Sequence, residues 1–225
     1  MTPQKLAVQV AARRRKTITE LQGAKREAQA KAGELYQRKQ GQTTGAAQRQ
    51  EERNLLDQNI PSLFPTPPDL ADRMVALADI RQDNHVLEPS AGTGNIAAAI
   101  RRAGFDCQCI EINWSLAELL RKRGYSVNCA DFLKTGGQFD RIVMNPPFEN
   151  LQDVDHARHA FDLLRPGGRI VAIASESAFF RQTAKAVAFR AWLDGLGAEV
   201  ERLPAGTFAS SRTQVAARLV IIDKP

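Results

Sequence analysis

The chain holds 225 residues with a formal net charge of +6, long enough for one sizeable core plus an appendage and too short for two full domains. No run of about eighteen apolar residues occurs, and the opening stretch MTPQKLAVQVAARRRK has no apolar signal core, so the sequence argues against a membrane or secreted protein and for a soluble, cytoplasmic one. Cys107, Cys109 and Cys129 are odd in number and lack paired CxxC spacing, which argues against a disulfide framework or zinc site. They are expected to be small buried apolar residues, and no metal is expected.

Residues 1–53 carry 12 Lys/Arg and 5 Asp/Glu, whereas residues 54–225 carry 19 and 20, so the whole basic excess sits in the first quarter. That quarter is rich in Ala and Gln and contains the run Arg13-Arg14-Arg15-Lys16. Leu6, Val10, Ile18 and Leu21 line one stripe of a potential helix, and RKQGQTTGAAQRQ at 38–50 has the composition of a polar linker. Residues 1–60 are therefore expected to be a helical or disordered basic arm with its linker, and residues 61–225 the folded domain. Such an arm is either a solvated appendage or a phosphate-binding arm that docks on nucleic acid.

From Leu63 onward, short apolar runs alternate with helical periodicity, the pattern of an α/β protein with a doubly wound, mostly parallel sheet. HVLEP at 85–89 predicts a strand, and GNIAAAIRRAG at 94–104 a helix closed by Gly104. CQCIEI at 107–112 is the next strand and SLAELLRKRG at 115–124 the next helix. SVNCAD at 126–131 and FDRIVMN at 139–145 predict two more strands. DVDHARHAFDLLRPGG at 153–168 is a helix and turn, RIVAIAS at 169–175 a fifth strand, and residues 177–197 a loop and helix. AEVERLP and QVAARLVIID close a sheet of about seven strands.

Ligands of such sheets sit at the carboxyl ends of strands, and three of those ends agree with one another. Glu88 closes the first strand, and Gly92 and Gly94 let the backbone after it approach a ligand closely. Glu111 ends the second strand, where a carboxylate can accept both hydroxyls of a ribose. Asp131 and Phe132 end the third, where a carboxylate can accept from an adenine amino group beside an aromatic ring. No full GxGxxG and no P-loop lysine accompany the glycines, so the pocket suits adenosine with a non-phosphate tail.

The fourth strand end is Asn145-Pro146-Pro147-Phe148. Two prolines remove two backbone donors and force the chain out of the sheet, leaving a side-chain amide, a carbonyl and a ring held in a stiff turn. His156 and His159, with Asp153 and Asp155, are expected to lie on an exposed helical face; Phe179-Phe180-Arg181 is an aromatic-basic candidate for a strand-contacting loop, with core packing the favoured reading.

The order of FPTPPDLADRMV, VLEPSAGTGN, CIEIN, CADFL and DRIVMNPPFE resembles the class I S-adenosylmethionine-dependent methyltransferases, nearest the γ-type enzymes that modify adenine N6 in DNA. The resemblance implies a Rossmann-like methyltransferase fold and S-adenosylmethionine as cofactor. Thr66 would then meet the methionine carboxylate, and Glu88 with Ser90, Ala91, Gly92 and Gly94 the methionine moiety. Glu111 would take the ribose with Ile112 beside it, and Asp131 and Phe132 the adenine. Asn145, Pro146, Pro147 and Phe148 would be catalytic, Phe208 would cover the other face of a flipped base, and Arg212 would meet backbone phosphate.

The implied partner is nucleic acid, DNA ahead of RNA. The γ-type target-recognition domain has no counterpart before the end of the sequence, so specificity is expected to be short, or supplied by the arm or a partner protein. RNA N6-adenine methyltransferases share the Asn-Pro-Pro-Phe motif, and a non-catalytic nucleic-acid-binding protein of the same fold is the alternative from another class.

Overall fold

The computed structural model describes Gln50, residues 63–208 and residues 216–225. The chain divides into two units, residues 1–51 and 52–225. The expected arm and linker lie outside the described residues apart from Gln50.

Among the described residues of the second unit, the first helix is α1 (Pro68–Leu77), which no expectation covered. Pro68 sits in its first turn, where a missing N–H costs nothing, and Leu70, Ala71, Met74 and Val75 form its buried stripe. There follow β1 (Val86–Glu88), α2 (Asn95–Arg102), β2 (Gln108–Glu111), α3 (Trp114–Lys122) and β3 (Ser126–Cys129). A 3₁₀ turn at Phe132–Lys134 leads to β4 (Phe139–Met144), and another at Glu149–Leu151 to α4 (Gln152–Leu163). β5 (Leu164–Ser175), the short α5 (Ser177–Phe180), α6 (Ala184–Leu196), β6 (Glu199–Arg202) and β7 (Ala217–Asp223) complete the chain.

The seven strands form one sheet in the order β3-β2-β1-β4-β5-β7-β6, parallel except for β7, which runs antiparallel to both neighbours. The chain winds outward from β1 to β3, then returns to lay β4 against the other side of β1. That reversal opens a crevice between the carboxyl ends of β1 and β4. Alternate residues of the central strands feed the two apolar layers. Ile142, Met144, Ile170 and Ala172 pack with α4 and α6, while Val143, Val171 and Ile173 pack with α1 and α2.

The turn expected at 166–168 lies inside β5 as a bulge. Phe139 pairs with Leu164 and Arg141 with Arg169, so the residues between loop out of the ladder, where Gly167 N and Gly168 O bond Lys224. Among the described residues no helix is long and apolar enough to cross a membrane.

Two glycines in the left-handed region separate conformational from packing cost. A Cβ on Gly94 (φ +85) would lie 2.5 Å from the buried Leu120 Cδ2, whereas one on Gly104 (φ +88) would meet nothing within 4 Å. Gly94→Ala should cost about 2–4 kcal/mol of unfolding free energy, and Gly104→Ala about 1–2 kcal/mol, measured by urea denaturation. Equal losses would mean that Leu120 yields without cost.

Candidate active site

A cleft of about 590 Å³ lies where the carboxyl ends of β1, β2 and β4 meet, walled by the segment Leu63–Thr66. Its floor begins at Glu88, 1% exposed. Burial pushes this carboxyl well above the usual carboxylate range, with the Cys107 thiol adding to the effect and the Ala97 backbone N–H opposing it. The Cys109 sulfur stands 4.0 Å from Glu88 Oε2 and 3.9 Å from the Cys107 sulfur. Hydrogen bonding to Cys107 and burial push the Cys109 thiol up. Cys109 is buried as expected, and Cys107 and Cys129 are half-buried.

The loop after β1 is held by the end of β2. Gly92 N–H donates to Glu111 Oε2 at 2.7 Å, and Asn113 N–H donates to Oε1 at 2.8 Å. Each oxygen thus carries one backbone hydrogen bond and keeps acceptor capacity for another, the complement a vicinal diol requires. Burial raises the Glu111 pKa against the lowering effect of the Asn113, Gly92 and Ile112 backbone N–H groups. Ile112, 70% exposed, stands on the cleft rim beside it. Ser90, Ala91 and Gly92 line the cleft, and Gly94 caps α2 behind it.

At the third strand end, Asp131 caps the 3₁₀ turn by accepting from Leu133 N–H at 3.1 Å. Lys134, hydrogen-bonded to it, and the Leu133 N–H hold its carboxyl below the usual range. Phe132 lines the cleft but is 3% exposed. The imidazoles of His156 and His159 pack against its ring, with centroids at 5.3 and 4.8 Å. The exposed face expected for these histidines is therefore corrected. His156 is 8% exposed, lines the cleft and stands 3.3 Å from Ser90 Oγ through Nδ1; His159 is half-buried, its Nε2 2.9 Å from Thr135 O. On α4 the buried stripe runs through Asp153, His156, Ala157 and Ala160, and its polar members disguise it in the sequence. Asp153 accepts from Ser175 N–H at 2.7 Å, so a buried carboxyl closes the end of β5.

Asn145 leaves β4 into the cleft wall. Its Nδ2 donates to Phe64 O at 2.8 Å and to Thr66 Oγ1 at 3.1 Å. A carbonyl can only accept, so Phe64 O decides which end of the amide is nitrogen. Oδ1 is left buried with no partner among the described residues. Asn95 Nδ2 donates to Thr66 O at 2.7 Å, so two amides hold the 64–66 segment. Pro147 lines the cleft, Pro146 is buried, and Phe148 stacks on Phe64 at 5.9 Å and 13°. Immediately afterwards Asn150 and Leu151 both adopt positive φ, 54° and 59°, a strained pair held by the burial of Leu151 and by Lys185 Nζ donating to Asn150 O at 3.3 Å.

Phe208 is not at the cleft. It is 1% exposed in the apolar layer with Leu203, Ala217 and Val143, the layer against which Phe148 also packs, because its ring finds more apolar contact there than in solvent. Arg212 lies outside the described residues.

A family model described as a methyltransferase domain matches residues 51–205. No curated protein matches. Among solved structures, the modification subunit of a putative type I restriction enzyme from Vibrio vulnificus is 21% identical with TM-score 0.54, over 72% of this chain and 44% of that one. A putative class I S-adenosylmethionine-dependent methyltransferase from Listeria monocytogenes is 12% identical with TM-score 0.61, over 79% and 68%. An RNA methyltransferase from Salinibacter ruber, in complex with S-adenosyl-L-homocysteine, is 17% identical with TM-score 0.50, over 72% and 94%. These likenesses are of fold, and the chain spans less than half the length of the Vibrio subunit.

Burial lowers the His156 pKa from 6.5 to about 4. The unfolded chain therefore takes up a proton near pH 6.5 that the folded chain refuses until about pH 4, so this residue's contribution to stability is lost on acidification through that window. Relative to His156→Asn, the wild-type protein should lose up to about 3 kcal/mol between pH 7 and pH 4 in urea titrations. Parallel pH profiles would show an imidazole that titrates normally.

Proposed function

The chain belongs to the methyltransferase-domain family, and from that premise we propose that it transfers a methyl group from S-adenosylmethionine to the exocyclic N6 amino group of adenine in nucleic acid, DNA ahead of RNA. The observation that carries the proposal is the Asn145 amide. Its nitrogen is consumed by Phe64 and Thr66, while its oxygen is a buried acceptor with no partner among the described residues, beside a cleft suited to adenosine.

An aromatic amine is a weak nucleophile because its lone pair is delocalised into the ring. If Asn145 Oδ1 accepts one N–H and the Pro146 carbonyl the other, the nitrogen is drawn towards tetrahedral geometry and its lone pair is freed for attack. S-adenosylmethionine supplies an electrophilic methyl group on a sulfonium. The nitrogen lone pair would take that methyl group as its bond to sulfur breaks, and the surplus amine proton would pass to solvent. Positioned dipoles suffice, without a general base. Phe148, already stacked on Phe64, would fix the plane of the base. Glu111 would hold the ribose, Thr66 the methionine carboxylate, and Asp131 the adenine.

The Vibrio subunit and the Salinibacter enzyme share this fold and are described as a restriction-modification subunit and an RNA methyltransferase, which supports a nucleic-acid substrate and keeps RNA as the second reading. A structure described as the assembly of a type I restriction-modification system, 22% identical with TM-score 0.61 over 77% of this chain and 46% of that one, supports a partner subunit for target recognition. A non-catalytic protein would not need Asn145, Glu111 and Asp131 assembled on one cleft.

The test is transfer of labelled methyl to DNA, RNA and protein substrates, followed by nucleoside analysis for N6-methyladenine. Label confined to protein, or to nucleic acid lacking adenine, would overturn the proposal. Asn145→Ala should lower turnover about 10²–10³-fold, beyond whatever loss of cofactor affinity it shares with Asn95→Ala, the control that loosens the same 64–66 segment without removing the acceptor. Glu111→Ala should weaken cofactor binding in calorimetry by about 1–3 kcal/mol. Unchanged affinity in a folded variant would place the ribose elsewhere.

A further inference from the structure

The turn after β5 separates two adjacent phenylalanines that the sequence treats alike. Phe179 goes inward, edge-on to Phe189 at 6.1 Å and beneath the Arg218 guanidinium at 4.4 Å. Phe180 goes outward and is 62% exposed. The turn that presents it is braced. Arg190 donates to the carbonyls of Ala178 and Arg181 at 3.0 and 2.9 Å, and Arg218 makes a two-pronged pair with Glu176 at 3.0 and 2.7 Å. A lone exposed ring is ordinary on a protein surface, but here the flanking residues fix its direction.

Two further facts give it a chemical partner. The next residue, Arg181, is exposed, and no hydrogen bond or ion pair of its guanidinium is found among the described residues, in contrast to Arg190 and Arg218 on either side of the turn. The turn also stands on the edge that carries Asn145. β4 and β5 are parallel neighbours with Met144 opposite Ala172, and Lys185 in the first turn of α6 reaches Asn150 O, just beyond the Asn145–Phe148 turn.

We propose that Phe180 and Arg181 form a nucleic-acid contact on the rim of the active cleft, Phe180 stacking on an unpaired nucleobase and Arg181 pairing with a backbone phosphate. The proposal rests on the nucleic-acid reading of the cleft and adds the surface that grips the strand. An aromatic face beside an unsatisfied cation is the pairing that single-stranded nucleic acid fits, since a base offers a π-face whatever its sequence and a phosphate accompanies it. A protein partner would favour a contiguous apolar patch, and the other large exposed apolar side chain nearby in sequence is Val187, at 45% exposure.

The experiment measures fluorescence anisotropy of labelled single-stranded and duplex oligonucleotides with the full chain, in the presence of S-adenosylhomocysteine and at several salt concentrations. Phe180→Ala and Phe180→Leu should each weaken single-strand binding roughly tenfold, Phe180→Tyr should retain it, and melting temperatures should be unchanged because the site is exposed. Arg181→Ala should weaken binding and flatten the slope of log affinity against log salt by roughly 0.7. Cofactor affinity should not move in any variant. Wild-type protein that binds no oligonucleotide even at low salt would overturn the nucleic-acid reading itself. Wild-type binding matched by Phe180→Ala and Phe180→Leu would overturn this inference alone and assign the exposed ring to a protein partner.

Discussion

The hydrogen bond from Asn145 Nδ2 to Phe64 O, 2.8 Å long, is the constraint on which the cleft depends. It joins the end of β4 to a segment 81 residues earlier in the chain, and with Thr66 Oγ1 it uses up both amide protons. The Asn95 amide, at the start of α2, grips the same segment from the neighbouring strand end. The wall formed by Leu63–Thr66 is thus hung from both sides of the sheet's reversal point. An orphaned buried acceptor costs about 1–3 kcal/mol, and the fold tolerates that cost at Asn145 because the opposite end of the same amide is doubly satisfied.

Three carboxyls of the cleft, Glu88, Glu111 and Asp131, differ in acidity according to depth and partners. Glu88, buried among thiols and apolar side chains, is pushed furthest towards its neutral form. Glu111 is buried too, but three backbone donors work against the desolvation. Asp131, at the rim beside Lys134, is held ionised. One cleft therefore offers groups of graded charge along its length, and the backbone donors that tune Glu111 also fix the glycine loop.

Most of the architecture was legible because its signals are local. Strand runs, glycine stops and the double proline each act through the residue that carries them, and the seven strands stand where apolar runs predict them. What was missed depends on tertiary context. α1 begins at Pro68 directly after Pro67, with no side-chain cap to mark its start in the sequence. The buried face of α4 carries Asp153 and His156, so polarity masks its periodicity. Phe208 fills the core and Phe180 faces solvent, the reverse of the favoured sequence reading of each. Nothing in either short stretch distinguishes inside from outside, since that is settled by Arg218, Phe189 and Leu203 arriving from elsewhere.

The outermost strand, β6, has consequences for assembly. It is the short run Glu199-Val200-Glu201-Arg202, exposed along its whole length, with Arg73 of α1 reaching across to Glu201. Three charged side chains in four residues blunt the free edge of the sheet, so another strand adding to it would have to desolvate them. Lengthening the sheet through β6 is thereby disfavoured. Any subunit joining this chain on that side would have to engage side chains on the helical layers, and the ladder would end where the monomer ends it.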